Sequence, residues 1–210
     1  MSHKPLQDAE LHLTSVDDTL AQLIRQHGPC TLTASKRDPF HVLCCSIIGQ
    51  QLSIKAADTI QARVATHTGA GKKFLPTHFL KTEHDGLRNC GLSNAKASWL
   101  RAISEQVESG VFSFKRLTRM SDNDAVAALD ALPGVGPWTA EMFLMFALHR
   151  PDIFSMGDVG LRRSMDRLYN KGKKLSDTKT LKISRQWAPY RSVACWYLWR
   201  LADGDNQTWA

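Results

Sequence analysis

Apolar residues fall three and four positions apart along most of this chain, the spacing that lines one face of an α-helix. Phe40, Leu43, Cys44, Ile47 and Ile48 follow it, the run breaks at Gly49-Gln50-Gln51-Leu52, and Ser53 stands ready to cap a second helix carrying Ala57, Ile60 and Val64. Further helices are expected from about Thr14 to His27, around Leu75 to Thr82, and from Asn94 to Glu108 behind Gly91-Leu92-Ser93. Ser121, with Asp124 three residues on, has the form of a capping box ahead of the stripe Ala125, Val126, Ala128, Leu129 and Leu132. The stretch Trp138 to Leu148 is apolar on nearly every side, which predicts a helix in the middle of the molecule. After Asp158, the residues Leu161, Met165 and Leu168 keep helical spacing, Lys171 to Lys174 form a basic loop, and a last helix is expected over Ser192 to Leu201. Neither strand-like alternation nor an internal repeat is evident, and no Pro- or Ser-rich linker divides the chain. The pattern predicts an all-α protein.

Length and composition narrow this picture. With 210 residues and 43% hydrophobic content, the chain can bury a full core as one domain or two closely packed lobes. Its 27 Lys plus Arg against 20 Asp plus Glu give a formal net charge of +7 and a pI near 9.3, favouring a polyanionic partner over an acidic one. Residues Met1 to Glu10 are polar and lack the apolar stretch of a secretory signal, and no later run approaches the ~20 apolar residues of a membrane span. A cytosolic protein with no membrane contact is expected. Cys30, Cys44, Cys45, Cys90 and Cys195 are scattered, with neither a Cys-x-x-Cys zinc pair nor a four-cysteine iron–sulfur spacing, so they read as reduced, structural thiols. The eight histidines are equally dispersed, and no catalytic metal is expected. Gly69-Ala70-Gly71-Lys72-Lys73 lacks the spacing of a P-loop and reads as a basic loop.

Chemistry enters at Leu132-Pro-Gly-Val-Gly-Pro-Trp-Thr-Ala140. Pro133 and Gly134 end one helix, Gly136 is expected to make a tight turn with positive φ, and Pro137 suits the first turn of the next helix. A hairpin of residues 132–136 between two helices exposes backbone N–H groups without side chains in the way, and phosphate is their natural ligand. Such a contact holds DNA without reading its sequence. An ordinary helix–helix turn fits the same residues. Asp158 lies 22 positions after Gly136, between Gly157 and a helical pattern, where a carboxylate serves as an N-cap; beside the hairpin it is also a candidate catalytic group. The C-terminal Trp187-Ala-Pro-Tyr-Arg-Ser192, followed by Trp196, Tyr197 and Trp199, is rich in rings that pack in a core or, with Trp138, line a pocket for an extruded base.

Taken in order, Ile47-Ile48-Gly49-Gln50-Gln51-Leu52-Ser53, Gly91-Leu92-Ser93 with Lys96, Leu132 to Ala140, Gly157-Asp158, and Trp187-x-Pro189-Tyr190-Arg191-Ser192 through Trp199 resemble the helix-hairpin-helix (HhH-GPD) DNA glycosylases, within them the 3-methyladenine DNA glycosylase II group. The resemblance spans about Asp38 to Gly204. It implies a single catalytic unit over residues 1–210 with two lobes and an active-site cleft, a central bundle over about 38–130 and a second lobe from 1–37 plus 131–210. It makes Asp158 the catalytic residue and puts Trp138, Met142 and Trp199 around the base. Gln50, Gln51, Leu52, Ser53, Gly134, Val135, Gly136 and Arg191 fall on the DNA side, with Gln51 the expected wedge. No cofactor is implied beyond a monovalent cation, Na+ or K+, on the hairpin carbonyls of Leu132 and Val135.

The implied activity is hydrolysis of the N-glycosidic bond of alkylated purines in double-stranded DNA, leaving an abasic site. Relatives that also cut the strand carry a lysine where this chain has Trp138, so no lyase step is expected. A monomer without an obligate protein partner is expected, cytoplasmic beside a bacterial nucleoid or nuclear in a eukaryote. A glycosylase for oxidised or mismatched bases and a non-catalytic helix-hairpin-helix DNA-binding protein remain as alternatives.

Overall fold

The computed structural model describes residues 3–32 and 37–203, which are helical with no strand among them. They divide into two compact units, Lys36–Phe143 and Met1–Ser35 with Leu144–Ala210. No helix among the described residues is long and apolar enough to cross a membrane.

The unit Lys36–Phe143 contains α3 (Pro39–Gly49), α4 (Ile54–Thr68), α5 (Pro76–Lys81), α6 (His84–Asn89), α7 (Asn94–Glu108), α8 (Phe114–Leu117), α9 (Asp122–Asp130) and the first part of α10 (Pro137–Phe146). Helices α3, α4, α7 and α9 start where short polar side chains cap them: Asp38 accepts from the His41 N–H, Ser53 from Ala56, Ser93 from Lys96 and Ser121 from Asp124. The Ser121 hydroxyl also donates to the Asp124 carboxylate at 2.7 Å. Inside, Phe40 meets Phe79 and Phe114 edge-on, and Phe114 meets Phe143 at 5.7 Å between ring centroids. That last contact fastens α10 to the bundle. This unit ends at Phe143 and includes the hairpin.

The other unit holds α1 (His3–Val16), α2 (Asp18–His27), α11 (Val159–Tyr169), α12 (Asp177–Arg185) and α13 (Arg191–Asp203). The single helix expected over Thr14 to His27 is two, because Asp17 turns extended and its Oδ1 accepts the N–H groups of Thr19 and Leu20. Its Oδ2 accepts from the Trp187 indole and the Tyr169 hydroxyl, each at 2.8 Å, so one carboxylate joins the α1–α2 break to residues 152 and 170 positions away. Burial raises the Tyr169 hydroxyl above its ordinary range. Trp187, Tyr197 and Leu198 are wholly buried, and α13 runs through the middle of this unit. The sequence pattern missed α12 because the residues it buries, Thr180 and Ser184, are polar; Thr180 is reconciled with the interior by accepting from Arg162 at 3.1 Å.

No disulfide joins any two of Cys30, Cys44, Cys45, Cys90 and Cys195. Burial pushes the Cys30 thiol up to about 12 and Cys45 to about 11, which keeps them as thiols. No cluster of His, Cys, Asp and Glu suited to a metal occurs among the described residues.

Candidate functional site

The hairpin is built from a Pro-Gly turn. The Val135 N–H donates to the Leu132 carbonyl at 3.1 Å, so Pro133 and Gly134 are the central pair, and Gly134 adopts φ +78°. Positive φ belongs to Gly134, not to Gly136 as expected. Gly136 accepts from the Ala140 N–H at 2.9 Å and so opens α10, a position that needs no left-handed backbone. A Cβ on Gly134 would lie 2.2 Å from the Trp99 ring, so bare backbone rests on the indole. At Gly136 a Cβ would meet nothing within 4 Å, which leaves that side of the turn open to a ligand. Leu132 and Val135 point inward and are buried. Beyond the turn, Trp138 is 41% exposed whereas Met142, one turn further along α10, is only 5% exposed.

The loop between α3 and α4 touches this hairpin. The Gln50 amide Nε2 donates to the Gly134 carbonyl at 2.9 Å and lies 3.4 Å from Thr139 Oγ1. Gln50 therefore braces the hairpin, and its neighbour is the glutamine on show: Gln51 is exposed, with φ +60°, and Leu52 beside it is 39% exposed. Ser53, read as a DNA contact, serves as the cap of α4 through its 3.3 Å bond from the Ala56 N–H. Trp99 and Thr139 escaped the sequence reading. Their partners lie 35 and 89 positions away, and no local pattern signals them.

In the other unit, Asp158 is the N-cap of α11 and is 8% exposed. Its Oδ1 accepts from the Leu161 N–H at 2.8 Å and from the Trp199 indole Nε1–H at 3.2 Å. Trp199 is 4% exposed, with its ring 5.7 Å from that of Phe146. Gly160 makes this approach possible, since a Cβ there would stand 3.2 Å from Asp158 Oδ1 and 3.6 Å from the Trp199 ring. The cap thus holds one oxygen of the carboxylate from two sides. Arg191, expected on the DNA side, is held by Asp152: Nε at 2.7 Å and Nη2 at 2.8 Å form a two-pronged pair, and the Arg191 N–H adds a third bond. Among the other C-terminal aromatics, Trp187 is core and Trp196 lies under the Arg200 guanidinium at 4.7 Å.

The chain belongs to the HhH-GPD superfamily of base excision DNA repair proteins, whose family model matches residues 44–189. It is 32% identical over 204 residues to DNA-3-methyladenine glycosylase 1 of Schizosaccharomyces pombe, covering 94% of this chain and 90% of that one. Among solved structures it is similar to a DNA-3-methyladenine glycosidase of Bacillus halodurans, with 40% identity, a TM-score of 0.82, and coverage of 92% and 88% of the two chains. It is also similar to the S. pombe 3-methyladenine DNA glycosylase Mag1 in complex with abasic DNA, with 29% identity, a TM-score of 0.80, and coverage of 96% and 99%.

Proposed function

We propose that this protein is a monofunctional DNA glycosylase that removes alkylated purines of the 3-methyladenine type from duplex DNA. The observation that carries the reading is Asp158, a nearly buried carboxylate whose Oδ1 is held at 2.8 Å by a backbone N–H and at 3.2 Å by the Trp199 indole. As the N-glycosidic bond breaks, the base leaves with the bonding pair and positive charge grows on the deoxyribose. A carboxylate held in place stabilises that charge without reorganising at the moment of reaction. Water then adds to C1′, and Asp158 takes its proton. An alkylated purine is cationic before cleavage and departs neutral, so a second carboxylate serving as general acid is not needed.

The hairpin supplies the DNA grip. The amides around Gly134 and Gly136 bind phosphate at the start of α10, a sequence-independent contact. The carbonyls of Leu132 and Val135 suit an alkali ion, because a carbonyl oxygen keeps a second lone pair even where, as at Leu132, it already accepts one N–H. Such an ion would add positive charge beside the phosphate. Gln51 and Leu52 enter the duplex as the damaged nucleotide swings out, and Trp138, 41% exposed, offers an indole face to a cationic base. Trp138 has no amine to attack the sugar, so strand cleavage is not part of the reaction.

The test is release of 3-methyladenine from methylated duplex DNA by the native chain, with the abasic product staying uncut until base is added. Release of oxidised bases or uracil in its place would move the substrate class. Binding without release from any of these duplexes would leave a DNA-binding protein.

A further inference from the structure

The motif Gly91-Leu92-Ser93 with Lys96 marks the start of α7, and the loop that carries Gln51 explains why a lysine follows. Ser93 caps α7 by accepting the Lys96 N–H at 3.2 Å, which sets Lys96 in the helix's first turn. From there the ammonium Nζ donates to the Ile48 carbonyl at 2.8 Å and to the Gln50 carbonyl at 2.6 Å. Both acceptors flank the end of α3, where carbonyls lack intrahelical partners and a cation is favoured.

The second acceptor matters most. Residues Gly49 to Leu52 form a β-turn closed by the Leu52 N–H on the Gly49 carbonyl at 3.1 Å, with Gln50 at φ −52° and ψ 132° and Gln51 at φ +60°. Those angles are those of a type II turn, which favours glycine at the place Gln51 occupies. A type I turn would spare Gln51 the left-handed conformation, and the two types interconvert by flipping one peptide, the one between Gln50 and Gln51. Its oxygen is the Gln50 carbonyl that Lys96 holds. A charge-assisted hydrogen bond outweighs the cost of one left-handed non-glycine residue.

We infer that Lys96 is a positioning residue that latches the Gln50 peptide in the type II orientation and so fixes the direction in which Gln51 is presented to the duplex. The Gln50 side chain braces the hairpin through Gly134, and Trp99, one turn beyond Lys96 on α7, lies beneath Gly134. One face of α7 supports both the turn and the hairpin. Desolvation holds the Lys96 amine below its ordinary range, in keeping with an ammonium drawn onto carbonyls and away from water.

The inference rests on the proposed entry of Gln51 into the duplex, so its test reads the turn and the chemistry separately. Lys96→Met keeps the aliphatic stem and removes the charge. Hydrogen exchange across residues 49–53 reads the turn, 2-aminopurine fluorescence in a duplex reads base extrusion, and single-turnover release reads chemistry. The folded variant is expected to exchange about tenfold faster in the turn, with protection of α4 and α7 unchanged, and to extrude and release the base about tenfold to a hundredfold more slowly, one to two steps of ~1.4 kcal/mol each. Affinity for undamaged duplex should move less than about threefold, since the phosphate grip is elsewhere. Lys96→Arg, with donors of the same charge, should recover most of both losses. Unchanged exchange in Lys96→Met overturns the latch, whatever the activity. A loosened turn with unaltered extrusion overturns the wedge reading beneath it. Should Lys96→Met fail to fold, Lys96→Met with Gln51→Gly should fold and regain turn protection, because glycine takes φ +60° without strain; failure of that pair also overturns the latch.

Discussion

Asp158 serves as a helix cap and, in the proposed reaction, as a charge, and two substitutions separate these roles. Asp158→Asn keeps a carbonyl oxygen in the place of Oδ1, where it can still accept from the Leu161 N–H and the Trp199 indole, now at 2.8 and 3.2 Å. Asparagine caps helices as well as aspartate does, so stability should change by less than about 1 kcal/mol. The charge is lost. For a carboxylate about 4 Å from a developing sugar cation at an effective dielectric of ~20, the missing attraction is about 4 kcal/mol, equivalent to roughly a 10³-fold slower release. Asp158→Ala removes cap and charge together. It forfeits about 1 kcal/mol of capping and strands the indole N–H of a 4%-exposed Trp199 at a further cost of about 1–3 kcal/mol. The assay pairs single-turnover release of 3-methyladenine from methylated duplex with urea unfolding of the same preparations. Both variants should be slow, and only the alanine variant should be unstable. A folded Asp158→Asn releasing base at the native rate would refute the electrostatic role, and an asparagine variant as unstable as the alanine one would refute the assignment of the cap.

Gly134→Ala should destabilise the chain by about 3 kcal/mol or more, since it combines a left-handed φ with a Cβ inside the Trp99 ring; denaturant unfolding reads this, and a loss below 1 kcal/mol would mean the turn relaxes freely. Asp17→Ala should cost roughly 3 kcal/mol through the lost cap of α2 and the Trp187 indole and Tyr169 hydroxyl left without their acceptor, with base release per folded molecule unchanged. A pH effect is expected from His41, whose Nδ1 accepts the Phe74 N–H at 3.2 Å and is therefore neutral at that atom. Burial, and next the Arg37 charge, hold His41 below its ordinary 6.5. Its contribution is then fully present above pH 6.5 and is lost as the pH falls through the lower folded-state value. Melting temperature should drop across that window in the native chain and drop less in His41→Gln; equal slopes would remove His41 as the cause.

Much of the architecture was legible along the chain because helices announce themselves within a few residues. The periodicity of α4 and α7, the serine caps before α4, α7 and α9, and the place of Asp158 ahead of α11 all depend on neighbours no more than four positions away. The hairpin was legible for the same reason, as a Pro-Gly break between two apolar stripes. What stayed hidden was every choice made by partners distant in sequence. Nothing near Gln50 says that its side chain turns to Gly134, nothing near Arg191 says that Asp152 will take its guanidinium, and nothing near Trp199 says that its indole reaches back 41 positions to Asp158. Even the glycine that bears the left-handed backbone was misplaced by two residues, because hydrogen bonding across the turn selects Gly134 while Gly136 is taken up by the start of α10. Local propensity sets where helices begin and end; close packing then decides which polar atoms meet, since each buried donor must find an acceptor wherever the folded chain has brought one.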